Sequence, residues 1–174
     1  MAVDLLEFES EELYFNEPIS EEARQCLERA SEHYGTDEAE EALMRAYFLE
    51  PEHPMVLVAL YRAYYYQHRL SDSLRVAERV LKVIGKRLEF PEDWRDLTEM
   101  WLGGGVMISM TLIRFYMLAL KGAGFLELRL GCYASALERL EKVVELDSKD
   151  RLGAQALLAV AREALERESN PMAV

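Results

Sequence analysis

The chain has 174 residues, 51% of them apolar and 30% charged, with a formal net charge of −12. Such a chain is long and apolar enough for one domain with a sizeable core, which excludes wholesale disorder. The acidic excess sits in residues 1–50, with 15 Asp and Glu against 3 Lys and Arg, so nucleic acid is not an expected partner.

Residues 1–19 read as an acidic N-terminal arm. It opens MAVDLLEFESEELYF and lacks the basic start of a signal peptide, so a cytoplasmic location is expected. The two cysteines, Cys26 and Cys132, are far apart in no metal-like spacing; both are expected to pack as small apolar groups, without a disulfide framework. From Glu21 to His33, Asp37 to Leu49, Met55 to His68 and Ser71 to Ile84, apolar residues recur every three or four positions, which predicts four helices. Ser20 and Thr36 precede acidic first turns and are expected N-caps. Pro54 and Pro91 suit first-turn positions, and Gly35 and Gly85 mark helix ends. No segment alternates in the manner of a strand.

Between residues 85 and 116 an insertion is expected. FPEDWRDLTEMWLGGG (90–105) predicts one extra helix and a glycine hinge, with Trp94 and Trp101 on one helix face anchoring it. VMISMTLIRFYMLAL (106–120) is apolar around Arg114. It is shorter than the ~20 residues of a membrane span and holds a costly central charge, so a buried central helix is expected and no stable membrane insertion. ASALERLEKVVELDSKD (134–150) predicts a further helix. RLGAQALLAVAREALERE predicts an unpaired terminal one, followed by a tail at 169–174.

Three of these segments share a pattern. Ala39, Ser73 and Ala136 open them, and Ala46, Val80 and Val143 follow seven residues later; the first two copies are offset by 34 residues and the third by 63. A 34-residue helix-pair period resembles the tetratricopeptide repeat family. Pro51, Leu60, Tyr64 and Gly124 match further positions of that pattern. The first repeat departs from it with Ala23, Leu27 and Ala30, the third with Glu127 and Ser148. The resemblance implies an all-α, right-handed helical-hairpin solenoid of about three repeats spanning residues 20–168, closed by a capping helix.

In that frame the four tyrosines of LYRAYYYQHRL (60–70) divide. Tyr61 and Tyr64 fall on the packing side. Tyr65 and Tyr66 face the concave groove that the family uses, together with Met55, Val58 and Arg62, and with Lys121, Phe125 and Arg129 from the third repeat. Such a groove suits a peptide with apolar anchors and acidic flanks. A groove filled by the N-terminal arm or the insertion is the plainer alternative. The carboxylate clamp of chaperone-binding repeat proteins is not expected, because its positions carry Arg24, Glu28, Ala59, Leu118 and Gly122.

Catalytic signals are thin. His33, His53 and His68 stand in no ligand spacing, and His53 and His68 are expected at the surface. Acidic pairs such as Glu21–Glu22 and Glu40–Glu41 are expected to be solvated rather than to share a cleft. GGG at 103–105 lacks the rest of a phosphate or dinucleotide loop. The sequence therefore points to a non-enzymatic adaptor or chaperone, without cofactor or metal, that binds a segment of another protein. Alternatives are a chaperone like those of type III secretion, which the chain resembles in size, acidity and repeat number, and an oligomerising scaffold, a homodimer joined through the 90–120 region.

Overall fold

The computed structural model describes residues 15–170. Residues 1–14 and 171–174, which hold most of the expected arm and tail, lie outside the described residues. Within them the structure is all helix, with no strand: α1 (Glu21–Glu32), α2 (Asp37–Leu49), α3 (Pro54–Tyr66), α4 (Leu70–Arg87), α5 (Glu99–Val106), α6 (Met110–Arg129), α7 (Tyr133–Leu146) and α8 (Ala154–Ser169). A short 3-10 turn, Trp94–Asp96, precedes α5.

Local chemistry sets these boundaries. The Ser20 and Thr36 hydroxyls accept from the backbone N–H of Ala23 and Ala39, satisfying orphan donors of α1 and α2. Gly35 ends the α1 turn at φ +82°, where a side chain would be strained. Pro54 opens α3, where its missing N–H costs nothing. His53 caps that helix through its ring, Nδ1 accepting from Met55 N–H at 3.2 Å, and it is buried, not at the surface. The cap draws the ring inward against its polar preference.

Neighbouring helices pack on one another in sequence: α1 on α2, α3 on α4, α4 on α6, α6 on α7 and α7 on α8. The small residues Ala39, Ser73 and Ala136 near the starts of α2, α4 and α7 are buried, as are Ala46, Val80 and Val143. The buried Ser73 hydroxyl donates to the Tyr61 carbonyl at 3.2 Å, tying α4 to α3. Arg69 joins the first hairpin to the second. It reaches Glu40 at 2.7 Å and Asp72 at 2.9 Å while stacking on Tyr64 at 4.5 Å.

The region between α4 and α6 differs from expectation in four ways. Gly85 lies inside α4, which continues to Arg87; its missing side chain admits Tyr116, whose ring a Cβ would meet at 3.1 Å. Pro91 starts no helix. The three glycines are helical residues of α5 rather than a hinge, and Gly105 presses on Phe90, 2.9 Å from where its Cβ would be. Trp94 and Trp101 occupy different elements and share no helix face. Trp94 packs on the core between Arg95 and Arg139, at 4.4 and 5.3 Å from its ring, whereas Trp101 is exposed. Of the cysteines, Cys26 is buried and Cys132 exposed, because Cys132 stands outside α7 at its N-cap position.

α6 is the central element. Thirteen of its 20 residues are buried, which is why its sequence is apolar nearly all round. Among the described residues, no helix is long and apolar enough to cross a membrane. Neighbours cross α6 where it is smallest: a Cβ on Gly122 would meet the Tyr61 hydroxyl at 3.0 Å, and one on Gly124 would meet Leu140 at 3.0 Å. One turn on, the buried Glu127 accepts from Arg139 Nε at 2.9 Å, and Arg139 also reaches Glu78 at 2.9 Å. Burial pushes the Glu127 carboxyl above its usual range, against the pull of Arg139.

Two outcomes are expected in urea denaturation. Gly124→Val forces α6 and α7 apart and costs about 1–3 kcal/mol, as overpacking does. Arg139→Met strands the Glu127 charge and costs about 3–5 kcal/mol at neutral pH. A carboxyl with a raised folded-state pKa holds its proton more tightly folded than unfolded. The deficit therefore shrinks as pH falls through that raised value and grows as pH rises through it. A deficit independent of pH between neutral and acid would show that the charge of Glu127 is not its source.

A candidate apolar cleft between α1 and α3

Helical spacing builds the site. On α1 and the turn after it, Leu27, Ala30, Ser31 and Tyr34 follow one another at three, one and three residues, so they share a face. On α3, Ala59, Arg62, Ala63 and Tyr66 repeat the same spacing. The two stripes face each other across an open cleft of about 740 Å³, with Leu43 of α2 as its floor. Small residues, Ala30, Ala59 and Ala63, leave the room; Tyr34 and Tyr66 stand at the rim, 55% and 47% exposed.

The residues expected to form one groove divide between two neighbourhoods. Arg62 and Tyr66 line the cleft. Tyr65 does not open to it: at 4% exposure it is buried, its ring stacked on Tyr61 at 6.0 Å and tilted against Phe125 of α6 at 6.4 Å. The position turns toward α6 because residue 65 is about a quarter turn from 66. Arg129 is exposed and lies 5.8 Å over the Phe125 ring. Tyr66 meets Tyr65 edge-on at 5.5 Å, so the rim ring of the cleft packs on the buried ring of the α3–α6 seam.

Met55 and Val58 lie on α3 outside the cleft lining, Met55 exposed and Val58 half-buried. Lys121 belongs to neither neighbourhood. It is buried, its ammonium donates to the Leu152 carbonyl in the α7–α8 connection, and burial lowers its pKa against the pull of Asp150 and Asp147.

Leu27, Ala30, Tyr34, Leu43, Ala59 and Ala63 were not among the expected groove residues. The matching stripes at 27/30/31/34 and 59/62/63/66 were the available signal. The insertion lines no part of this cleft. The described end of the arm lies elsewhere, with Phe15 edge-on to Phe115 at 5.3 Å and Glu17 paired to Arg87. Of the clamp positions, Arg24 is engaged by Glu21 and Glu28 of its own helix. Among the described residues no group of three or more His, Cys, Asp or Glu side chains could hold a metal ion.

Fold and site together define an all-helical protein with an open apolar cleft near its N-terminal end. The chain is 44% identical over 161 residues, 92% of its own length and 90% of the relative's, to the "Uncharacterized 19.8 kDa protein in nifW 5'region" of Azotobacter chroococcum mcd 1, and it belongs to that protein's family. No family model matches it, and no solved structure does.

The adjacent tyrosines are expected to separate in a stability measurement. Tyr65→Ala removes a buried ring and costs about 3–5 kcal/mol, in the range of other buried aromatics. Tyr66→Ala, at the half-exposed rim, costs no more than about 1 kcal/mol. Equal losses from the two would contradict this placement of the rings.

Proposed function

We propose that this chain is a tetratricopeptide-like interaction protein, without catalytic activity, that holds an apolar segment of a partner protein in the α1–α3 cleft. The observation that carries the reading is the cleft itself: a concave surface, apolar in its walls and floor, with aromatic rings at the rim and one guanidinium, that of Arg62, along it. A surface of that kind recognises an extended or helical segment through aliphatic or aromatic anchors. The exposed Arg129, beyond the Tyr66–Tyr65–Phe125 run, suits an acidic flank on the same ligand. Lys121 has no part in this, being buried against the α7–α8 connection.

The repeat reading is supported by the burial of Ala39, Ser73 and Ala136 near the starts of α2, α4 and α7. Successive pairing of α1 with α2, α3 with α4 and α6 with α7 also supports it. In a helical-hairpin solenoid the first helices of successive pairs line the concave side, which suits a cleft walled by α1 and α3. The relative is named for a place 5' of nifW, so the nifW product is the first partner to titrate.

Titration calorimetry with that product tests the proposal, comparing wild type with a Tyr34→Ser, Tyr66→Ser double variant. Both rings are at the rim, so the variant stays folded by circular dichroism, and its affinity is expected to fall at least tenfold. Unchanged affinity in the folded variant would remove the cleft from the interaction. No binding by wild type turns the search to other partners, with a library of peptides bearing apolar anchors as the next probe. Failure of every peptide to bind wild type in preference to the variant would sink the proposal.

A further inference from the structure

The apolar surface that most exceeds what a solvated chain needs is not the cleft but α5 and its exit turn. Met100, Trp101, Val106, Met107, Ile108 and Met110 are all exposed, Met100 at 80% and Met107 at 88%. All six fall within the eleven residues 100–110, so the exposure is concentrated on one element, whereas apolar residues scattered singly over a surface are ordinary. The inner side of α5 is accounted for, since Leu102 packs on the core and Gly105 on Phe90 and Ile113. Its outer side is not.

The glycines of that outer side are the second observation. Three consecutive glycines weaken a helix, since glycine has the poorest helix propensity after proline. Gly105 repays this by admitting Phe90. Gly103 and Gly104 do not: a Cβ on either would meet nothing within 4 Å. Among the described residues nothing asks for glycine at these two positions. They lie three and four residues after Met100 and four and three before Met107, so the exposed helix face reads methionine, a flat backbone notch, methionine.

We propose that this face is a self-association surface, which joins two copies of the chain about a two-fold axis through the Gly103–Gly104 notch. A notch flanked on each side by a methionine can meet its own copy notch to notch, as an isologous contact about that axis requires. The glycines let the two α5 backbones approach closely, and the flexible methionine side chains fill the space on either side. Charge favours a second copy as the occupant. Of the 17 residues Leu97–Ile113, Glu99 alone is charged, in a chain of net charge −12. Two such acidic chains therefore meet with little repulsion on this face.

Sedimentation equilibrium tests the proposal on the full chain. Wild type is expected at twice the 20.1 kDa chain mass at micromolar concentrations. Two variants are compared with it: Gly103→Gln, Gly104→Gln, which fills the notch, and Met100→Glu, Met107→Glu, which charges the ridges. Both are expected to dissociate at least a hundredfold more readily. The glutamine variant separates loss of the interface from loss of the fold, because its new side chains enter open space and raise helix propensity. Its unfolding midpoint, measured where both proteins are monomeric, should equal or exceed that of wild type. A wild type that stays monomeric to about 100 μM overturns the proposal, as does a glutamine variant that is folded and associates like wild type. Binding of monomeric wild type to neutral or anionic phospholipid vesicles, lost in the Met→Glu variant, would assign the face to a bilayer and overturn it equally.

Discussion

Everything in this structure is arranged around the close crossing of α6 by its neighbours. The Tyr61 ring of α3 and helix α7 reach it where it is reduced to Gly122 and Gly124, and α4 reaches it by leaving room at Gly85 for the Tyr116 ring. A helix covered on several sides keeps little wet face for polar residues, here Arg114 and Arg129 with the exposed Met110. Its sequence therefore loses the amphipathic rhythm of the others and approaches that of a membrane segment. The polar groups it buries, the Lys121 ammonium and the Glu127 carboxylate, each point at a particular partner in a particular element: the Leu152 carbonyl beyond α7 and the Arg139 guanidinium on α7.

Those two contacts do different work from the apolar packing around them. Buried charges return little net stability once desolvation is counted, but breaking one side of a pair is expensive. A slip of α7 along α6 would separate Glu127 from Arg139, and with it Arg139 from Glu78 and the Trp94 ring. The same guanidinium thus fixes the register of α7 on α6 and holds Trp94, the first residue of the turn that leads to α5, against the core. Arg95 reinforces that attachment by reaching Glu138 of α7 at 2.7 Å, and Lys142 does so by donating to the Leu97 carbonyl at 3.2 Å. The segment between α4 and α6 is therefore fastened to α7 by charge-assisted bonds, although the outer face of α5 within it carries only the charge of Glu99.

Helix positions were legible wherever period and caps agreed. Ser20, Thr36 and Pro54 each signal a start from local chemistry alone, and α1 to α4 lie within two or three residues of the ends read from apolar spacing. What was not legible depended on tertiary partners. Gly85 has the form of a helix stop, but it serves the approach of Tyr116, whose position comes from a helix 25 residues later. GGG has the form of a hinge, yet Gly105 is held by Phe90 and the stretch stays helical. His53 looks like a surface residue until its ring is seen to cap α3. The groove was legible only in part: 55, 58, 62 and 65 share a face of α3 just as 59, 62, 63 and 66 do, and which of these neighbouring faces opens toward α1 is set by packing on α6, which spacing does not encode. Lys121 failed for a different reason: nothing local says that the α7–α8 connection will fold over it.

The cleft lies at the boundary that this arrangement leaves least tightly packed. α1 is bound closely to α2 through Ala23, Cys26 and Ala30, but α2 touches α3 far less than it touches α1. Beyond the shared apolar core around Leu43 and Ala46, the first hairpin meets the rest through isolated polar contacts, among them Arg69 with Glu40 at 2.7 Å and the Tyr64 hydroxyl with Met44 Sδ at 3.5 Å. Exposed or half-exposed ion pairs of that kind contribute little stability, and a region with few apolar contacts to its neighbours opens at lower cost than the core does. The wall carrying Leu27 and Tyr34 belongs to this hairpin. The opposite wall, carrying Arg62 and Tyr66, is fixed through Tyr61 and Tyr65 to α6. The two walls of the cleft thus differ in what holds them: α1 rests chiefly on α2, and α3 on the crossing on which the rest of the fold depends.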